Sequence, residues 1–359
     1  MKEYIGILGG GQLAKMLCES AKKIGYKTIV LDCDKDACGG KVATKHYADN
    51  YLDEKILKKI CDESKVITYE FENIPVETIE YIEKNGNIPQ GKRPIYISKN
   101  RIREKSEMKK LGIRIAEFVE VENKSHLIKG VRKLGYPLIL KTCEEGYDGK
   151  GQWKINSIED VDLIQLEERE YILEKKIDFQ KEVSCMVIRG INGEIVTFPI
   201  GENIHKNGIL NMTIVPARID KELEEEIKYI SKKIVEELNF YGPLGIEFFI
   251  KDNEIYFNEM APRPHNSVHY TMDACNESQF DLHLNSLLGK SLEEPKLLKK
   301  VVMLNILGED KEKVEKIKID ENIKIYLYGK SIWKTGRKMG HINFLGDNLE
   351  ELIEKAKSF

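Results

Sequence analysis

Nowhere among its 359 residues does the chain carry an apolar run of the roughly 18 to 20 residues that crossing a membrane requires. The opening MKEYIGILGG leads straight into a strand pattern rather than a secretion signal, so a cytoplasmic protein with no membrane partner is expected. Charge of one sign is also lacking: 33% of residues are charged, yet the formal net charge is only -3. A nucleic-acid surface needs clustered Lys and Arg on a basic domain, so no nucleic-acid partner is expected. The lysine-rich run 296–300 reads as a solvated helix face. The seven cysteines are odd in number and contain no CxxC pair, so neither a disulfide framework nor a zinc site is suggested and they are read as reduced and structural.

What is present centres on residues 241–269, YGPLGIEFFIKDNEIYFNEMAPRPHNSVH. Residues 244–250 and 254–260 are β-rich runs about Lys251, Asp252 and Asn253, a hairpin pattern. Leu244, Ile246, Phe248 and Ile250 alternate with Glu247, which puts an apolar set on one face and the carboxylate on the other. A three-residue loop makes the pairing sum even and brings Glu259 onto the face of Glu247, whereas a two-residue loop separates them, and the three-residue loop is expected. Two carboxylates that converge, with Asn258 beside them, repel unless neutralised, and a hard cation such as Mg²⁺ does this. Plain edge charges remain the alternative. Ala261, Pro262, Arg263, Pro264, His265, Asn266 and Ser267 then form a stiff polar turn suited to an anion or polar ligand.

The chain at 359 residues holds two or three domains. A short strand, Gly9-Gly10-Gly11, and Leu13, Met16, Leu17, Ala21 and Ile24 at helical spacing open a βαβ unit. With Ala14 and Asp32 it fits a dinucleotide-binding fingerprint, which keeps a nicotinamide dehydrogenase open as a rival. The next strand is read at 65–71, with Glu70 and Glu72 at its carboxyl end, either near a ligand or capping a helix. Further on, a strand ends at Lys141, and Gly146, Tyr147, Asp148, Gly149, Lys150, Gly151 and Gln152 form a glycine flap able to bring backbone N–H groups and cations against phosphate. A strand over 171–177 runs into a polar linker that suits adenine. His205 falls in a polar loop over 203–208, and Asp347 and Glu350 cap a last helix. Lys330 and Arg337 sit in a glycine- and cation-rich turn that reads as phosphate-gripping.

A lysine-tipped strand, a glycine flap, a strand-linker with acids and an acid-bearing hairpin, in that order, resemble the ATP-grasp fold. The resemblance narrows over nearly the whole chain to the N5-carboxyaminoimidazole ribonucleotide synthase family. GGGQLAKML, YEFENIP, GYDGKGQ, NEMAPRPHNSVHYTMDAC with SQFDLHL, and GKSIWKTGRKMGHIN carry it. Glu144, Glu145 and Val268 depart from the pattern. The resemblance implies an α/β ATP-grasp fold with a Rossmann-like N-terminal domain (1–95), an ATP-grasp domain (96–290, lid about 115–175) and a small β-rich C-terminal domain (291–359). It implies a ligase that uses ATP, Mg²⁺ and bicarbonate to carboxylate 5-aminoimidazole ribonucleotide in purine synthesis, as a homodimer. By the same resemblance Arg101, Lys141 and the flap residues 146–152 meet the nucleotide phosphates. Glu174, Lys175, Lys176 and Ile177 hold adenine, Glu182 the ribose, and His205 and Asn258 line the nucleotide site. Glu247 and Glu259 hold the metal. Tyr147, Asp148, His265, Asn266, Ser267, Lys330 and Arg337 face the ribonucleotide, and Asp148, Lys150 and Arg263 are the catalytic candidates.

Overall fold

The computed structural model describes residues 3–144, 146 and 151–359. Tyr147, Asp148, Gly149 and Lys150, four of the flap positions singled out above, lie outside the described residues, as does Glu145. Among the described residues the strands fall into three sheets. The first holds β1 (Tyr4–Leu8), β2 (Lys27–Leu31), β3 (Lys45–Tyr47) and β4 (Ser64–Tyr69), all parallel, in the order β3-β2-β1-β4. Strand β3 carries no apolar run and was not expected from the sequence. The helix Gln12–Lys23 follows β1 and buries Leu13, Met16, Leu17 and Ala21 against this sheet.

A second, antiparallel sheet holds β5 (Phe118–Val121), β6 (Leu138–Thr142), β7 (Gln152–Ile155) and β8 (Tyr171–Lys175) in the order β5-β8-β6-β7. The third and largest runs β14-β13-β9-β11-β12-β15-β17-β16, with β10 on β9. It comprises β9 (Lys181–Arg189), β10 (Ile195–Thr197), β11 (Gly201–Lys206), β12 (Ile209–Val215), β13 (Gly242–Lys251), β14 (Glu254–Ala261), β15 (Lys300–Leu307), β16 (Ile323–Leu327) and β17 (Lys338–Gly346). The last three strands thus extend the sheet that carries the β13–β14 hairpin. At the β13–β14 hairpin one side packs Ile246, Phe248 and Ile250 on Ile227 and Ile234 of the helix Lys221–Glu237, while Met186 and Ile188 of β9 join a separate apolar core with Val301 and Met303 of β15.

Several sequence expectations change in detail. The run 296–300 is not helical: Lys296 and Lys299 are exposed on an extended segment leading into β15. The last helix, Leu349–Ser358, is capped by Asn348, whose side chain accepts from the N–H of Glu350 and Glu351. His205 lies on strand β11, not in a loop. No disulfide joins any of the seven cysteines, and six are buried. No helix of the described residues is long and apolar enough to cross a membrane.

Candidate functional site

The acid pair arrives on one face by a route the sequence did not reveal. The hairpin loop has two residues, Asp252 and Asn253, with φ of 51° and 61°, as a tight primed turn requires. Lys251 therefore pairs with Glu254 and Phe248 with Phe257, an odd sum that would separate the two acids. A β-bulge corrects this: β14 takes up one extra residue between Phe257 and Glu259, and beyond it Glu247 pairs with Glu259. The expected three-residue loop is replaced by a two-residue loop plus a bulge at Asn258.

Glu247 is nearly buried and sits among like charges. One donor atom each from Glu182, His205 and Glu247 lies within 4.8 Å of the others, and His205 Nδ1 is 3.1 Å from Glu182. Burial first, then Glu182 and Glu259, push the Glu247 carboxyl well above the usual carboxylate range. Glu259 is opposite in character: burial works against its charge, but Arg101, 3.0 Å away, outweighs it and holds the carboxyl low. Hard oxygen donors converging without enough positive charge are what a divalent cation requires, so the residues fit Mg²⁺.

His265 approaches Glu247 from the polar turn, its Nε2 3.7 Å from Oε1. Burial and Arg263 lower its pKa to about 3, so the ring is neutral. Its Nδ1 lies 2.7 Å from Ser267 Oγ, which lies 2.8 Å from Ser184 Oγ. Ser267 is fully buried and does not reach the cavity. The expected direct substrate contact of Ser267 thus gives way to orienting the imidazole. Asn266 exchanges two amide hydrogen bonds, each 2.9 Å, with Asn305 of β15. Arg263 pairs with Glu72 at 2.6 Å. The departure Val268 is a buried core residue, and Glu144 pairs with Arg103 at 2.7 Å.

Lys141 projects from β6 and meets Glu174 of β8 at 2.7 Å. The carboxylate of Glu174 is therefore a buried counter-ion rather than an adenine contact. Burial opposes its charge, but Lys105 and Lys141 hold it at about 2. Lys175 also turns away, donating to the carbonyls of Gly135 and Tyr136. What this edge offers a flat base is backbone, together with Ile139, Ile177 and the stacked pair Phe179–Phe249, whose ring centroids are 4.3 Å apart. Lys105 was missed by sequence reasoning, because a lysine in a helix as charged as RIREKSEMKK looks solvated.

The glycine loop after β1 is filled by the chain itself. Gly11 N–H donates to Glu70 Oε1 at 2.7 Å and Ala14 N–H to Oε2 at 3.3 Å, while Gly10 N–H donates to Asp32 at 2.6 Å. A Cβ at Gly11 would lie 2.7 Å from Glu70 Oε1. The glycines thus admit carboxylates at the helix N-terminus, where a dinucleotide would place its pyrophosphate. Burial pushes Glu70 up to about 7 despite these bonds.

Glu70, Arg101, Lys141, Glu247, Glu259 and His265 border one cavity of about 1280 Å³. Lys141, Glu247 and Glu259 line one part of it, and Glu70, Lys330 and Arg337 another. Lys330 donates to the carbonyl of Lys338 at 2.8 Å, and Arg337 to that of Ile332 at 3.0 Å. Comparison with known proteins agrees with this architecture. The model of the ribonucleotide synthetase preATP-grasp domain matches residues 1–97, that of the ATP-grasp domain residues 106–280, and that of the phosphoribosylaminoimidazole carboxylase C-terminal domain residues 301–355. The N5-carboxyaminoimidazole ribonucleotide synthase of Bacillus subtilis (strain 168) is 42% identical over 98% of this chain and 93% of its own. The chain belongs to the N5-carboxyaminoimidazole ribonucleotide synthase family. Within that family, the Staphylococcus aureus enzyme complexed with ADP superposes with a TM-score of 0.92 at 40% identity, covering 99% of this chain and 96% of that one. The Aspergillus clavatus enzyme in complex with ADP and 5-aminoimidazole ribonucleotide gives 0.90 at 28%, covering 100% and 99%.

Proposed function

We propose that this chain carboxylates 5-aminoimidazole ribonucleotide with ATP and bicarbonate, releasing N5-carboxyaminoimidazole ribonucleotide, ADP and phosphate, as its family members' names and bound ligands suggest. The observation that carries the reading is the single cavity with two charged regions, an acid-and-lysine region suited to nucleotide and metal and a Lys330–Arg337 region suited to a second phosphate. The division into units 1–95, 96–290 and 291–359, a homodimer and a cytoplasmic location belong to the same proposal.

In this reading Arg101 and Lys141 receive the ATP phosphates, the edge after β8 takes adenine, and Glu182 and His205 take the ribose side. Glu247 and Glu259, with Asn258 adjacent, would hold Mg²⁺, which would supply positive charge against the charge that develops as the phosphoryl group leaves. A bicarbonate oxygen attacks the γ-phosphorus and ADP departs, giving carboxyphosphate. Carboxyphosphate releases CO₂ and phosphate, and the exocyclic amine attacks the carbon and loses a proton. Neutral His265, oriented by Ser267, offers an N–H to a carboxylate oxygen of the new carbamate, and Arg263, held by Glu72, adds positive charge nearby. Lys330 and Arg337 anchor the ribonucleotide's 5′-phosphate. The labile intermediate has to be kept from water until the amine captures its carbon. Asp148 and Lys150 are assigned to the flap side of the amine by resemblance.

Bicarbonate labelled with ¹⁸O tests the chemistry. Phosphate released in the presence of the ribonucleotide carries one labelled oxygen if carboxyphosphate forms, and unlabelled phosphate would remove that step.

A further inference from the structure

Three ionisable side chains on one face of the helix Arg101–Lys110 grip four consecutive residues of β14. Lys105 Nζ donates to the Asn258 carbonyl at 2.7 Å and reaches that of Phe257 at 3.4 Å. Arg101 Nη1 holds the Glu259 carboxylate at 3.0 Å. The Met260 N–H donates to Glu104 Oε1 at 2.8 Å. Positions 101, 104 and 105 share a helix face by spacing alone. Glu104 and Lys105 are each only 1% exposed, and burial pushes the Glu104 carboxyl up and the Lys105 ammonium down, an expensive place for ionisable groups that apolar side chains of similar size could fill.

Their position coincides with the bulge. A bulge disrupts the ladder where it occurs and leaves the extra residue unpaired. Lys105 supplies a partner for the two carbonyls there, and Glu104 one for the N–H just beyond. Were the bulge to slip, the pairing sum would return to odd and Glu259 would leave the face of Glu247. Lys105 also stands 3.6 Å from Glu174, whose other oxygen holds Lys141, so the same ammonium ties the hairpin to the lysine of β6.

We propose that Glu104 and Lys105 are positioning residues, a buried hydrogen-bonding clamp that fixes the β14 bulge and thereby the convergence of Glu259 with Glu247. The inference rests on the reading of those two acids as the Mg²⁺ ligands. A merely structural pair would alter melting and leave metal affinity untouched.

The test is Mn²⁺ titration, with free Mn²⁺ counted by its paramagnetic resonance signal, in the presence of a non-hydrolysable ATP analogue. Lys105→Met removes the charge at similar length and weakens Mn²⁺ binding at least tenfold in a protein that still melts cooperatively. Glu104→Leu does the same, whereas Glu104→Gln, which keeps an acceptor for the Met260 N–H, stays within about threefold of the parent. If Lys105→Met does not fold, the Glu104→Leu and Glu104→Gln pair decides. Mn²⁺ affinity within twofold of the parent in a folded Lys105→Met, or in Glu104→Leu, overturns the clamp. Glu259→Gln serves as reference: if it weakens Mn²⁺ and the clamp variants do not, the clamp alone fails. If Glu259→Gln leaves Mn²⁺ unaffected, the metal reading fails and the clamp with it.

Discussion

Replacing Glu247 by Gln should make the metal-free protein more stable and the enzyme inactive. Glu247 is 7% exposed, with the acids Glu182 and Glu259 beside it, and the Asn258 amide at 3.5 Å, the neutral His265 at 3.7 Å, His205 within 4.8 Å and the charge of Lys338 offset them only in part. Burial and the two acids raise its folded-state pKa. A carboxyl raised above its unfolded value of about 4.3 contributes stability that is fully present below that value and is lost as pH rises through the folded one. At pH 8 in EDTA the parent therefore carries an uncompensated charge or a forced proton, and Gln removes both. Relieving an ill-satisfied buried polar group contributes about 1 to 2 kcal/mol. For a unit of roughly 200 residues that is a rise in Tm of about 2 to 8 °C. Calorimetry in EDTA should show the parent losing stability between pH 6 and pH 8 and Glu247→Gln losing less. Turnover at saturating Mg²⁺ should fall by about a hundredfold or more, the scale on which removal of one electrostatic element acts. A variant that melts below the parent at pH 8, or that turns over normally, would refute the reasoning.

Arg337→Ala should raise the ribonucleotide KM about ten- to a hundredfold, since a charge-assisted bond contributes about 1.5 to 3 kcal/mol; steady-state kinetics with each substrate varied should leave the ATP KM unchanged. Lys141→Met should raise the ATP KM by about tenfold or more on the same scale and lower Tm by a few degrees, because Glu174 keeps only Lys105 of its two lysine partners. Gly11→Ala should cost about 1 to 3 kcal/mol in a denaturant melt, because its Cβ meets Glu70 rather than a ligand. Fluorescence titration should find no saturable NADH binding by either form, and saturable binding would revive the dehydrogenase reading.

The sequence was most informative where a local pattern had only one physical solution. Alternation in β13 assigned Glu247 to the face opposite Ile246 and Phe248, and the amphipathic helix Lys221–Glu237 was legible from its apolar spacing. The bulge was illegible because it depends on Lys105 and Glu104, about 150 positions away in the chain, and loop length alone gave the right pairing for the wrong reason. His205 read as loop because Asn203, Lys206 and Asn207 carry no strand signal, yet β11 is held by β9 and β12 on both sides. Glu70 could not be assigned from its own segment, since its partners, Gly11 and Ala14, lie on another element. Polar side chains whose role is set by distant backbone leave no periodic trace.

The electrostatic state of the cavity also says how ligands must enter. Lys141 is matched by Glu174, Arg101 by Glu259, and Arg263 by Glu72. A nucleotide phosphate that approaches Arg101 therefore competes with Glu259, and the release of Glu259 returns a second negative charge to the neighbourhood of Glu247. That raises the need for a cation when the nucleotide arrives, so phosphate and Mg²⁺ favour each other's binding through this one carboxylate. Arg101→Lys, whose single ammonium cannot span the Glu259 carboxylate and the Gly146 carbonyl as the guanidinium does, should loosen this exchange. In calorimetric titrations the gain in nucleotide affinity from adding Mg²⁺ should then shrink several-fold relative to the parent, and by linkage the gain in Mg²⁺ affinity from adding nucleotide must shrink by the same factor. An unchanged gain in Arg101→Lys would mean that Glu259 does not change partners on binding.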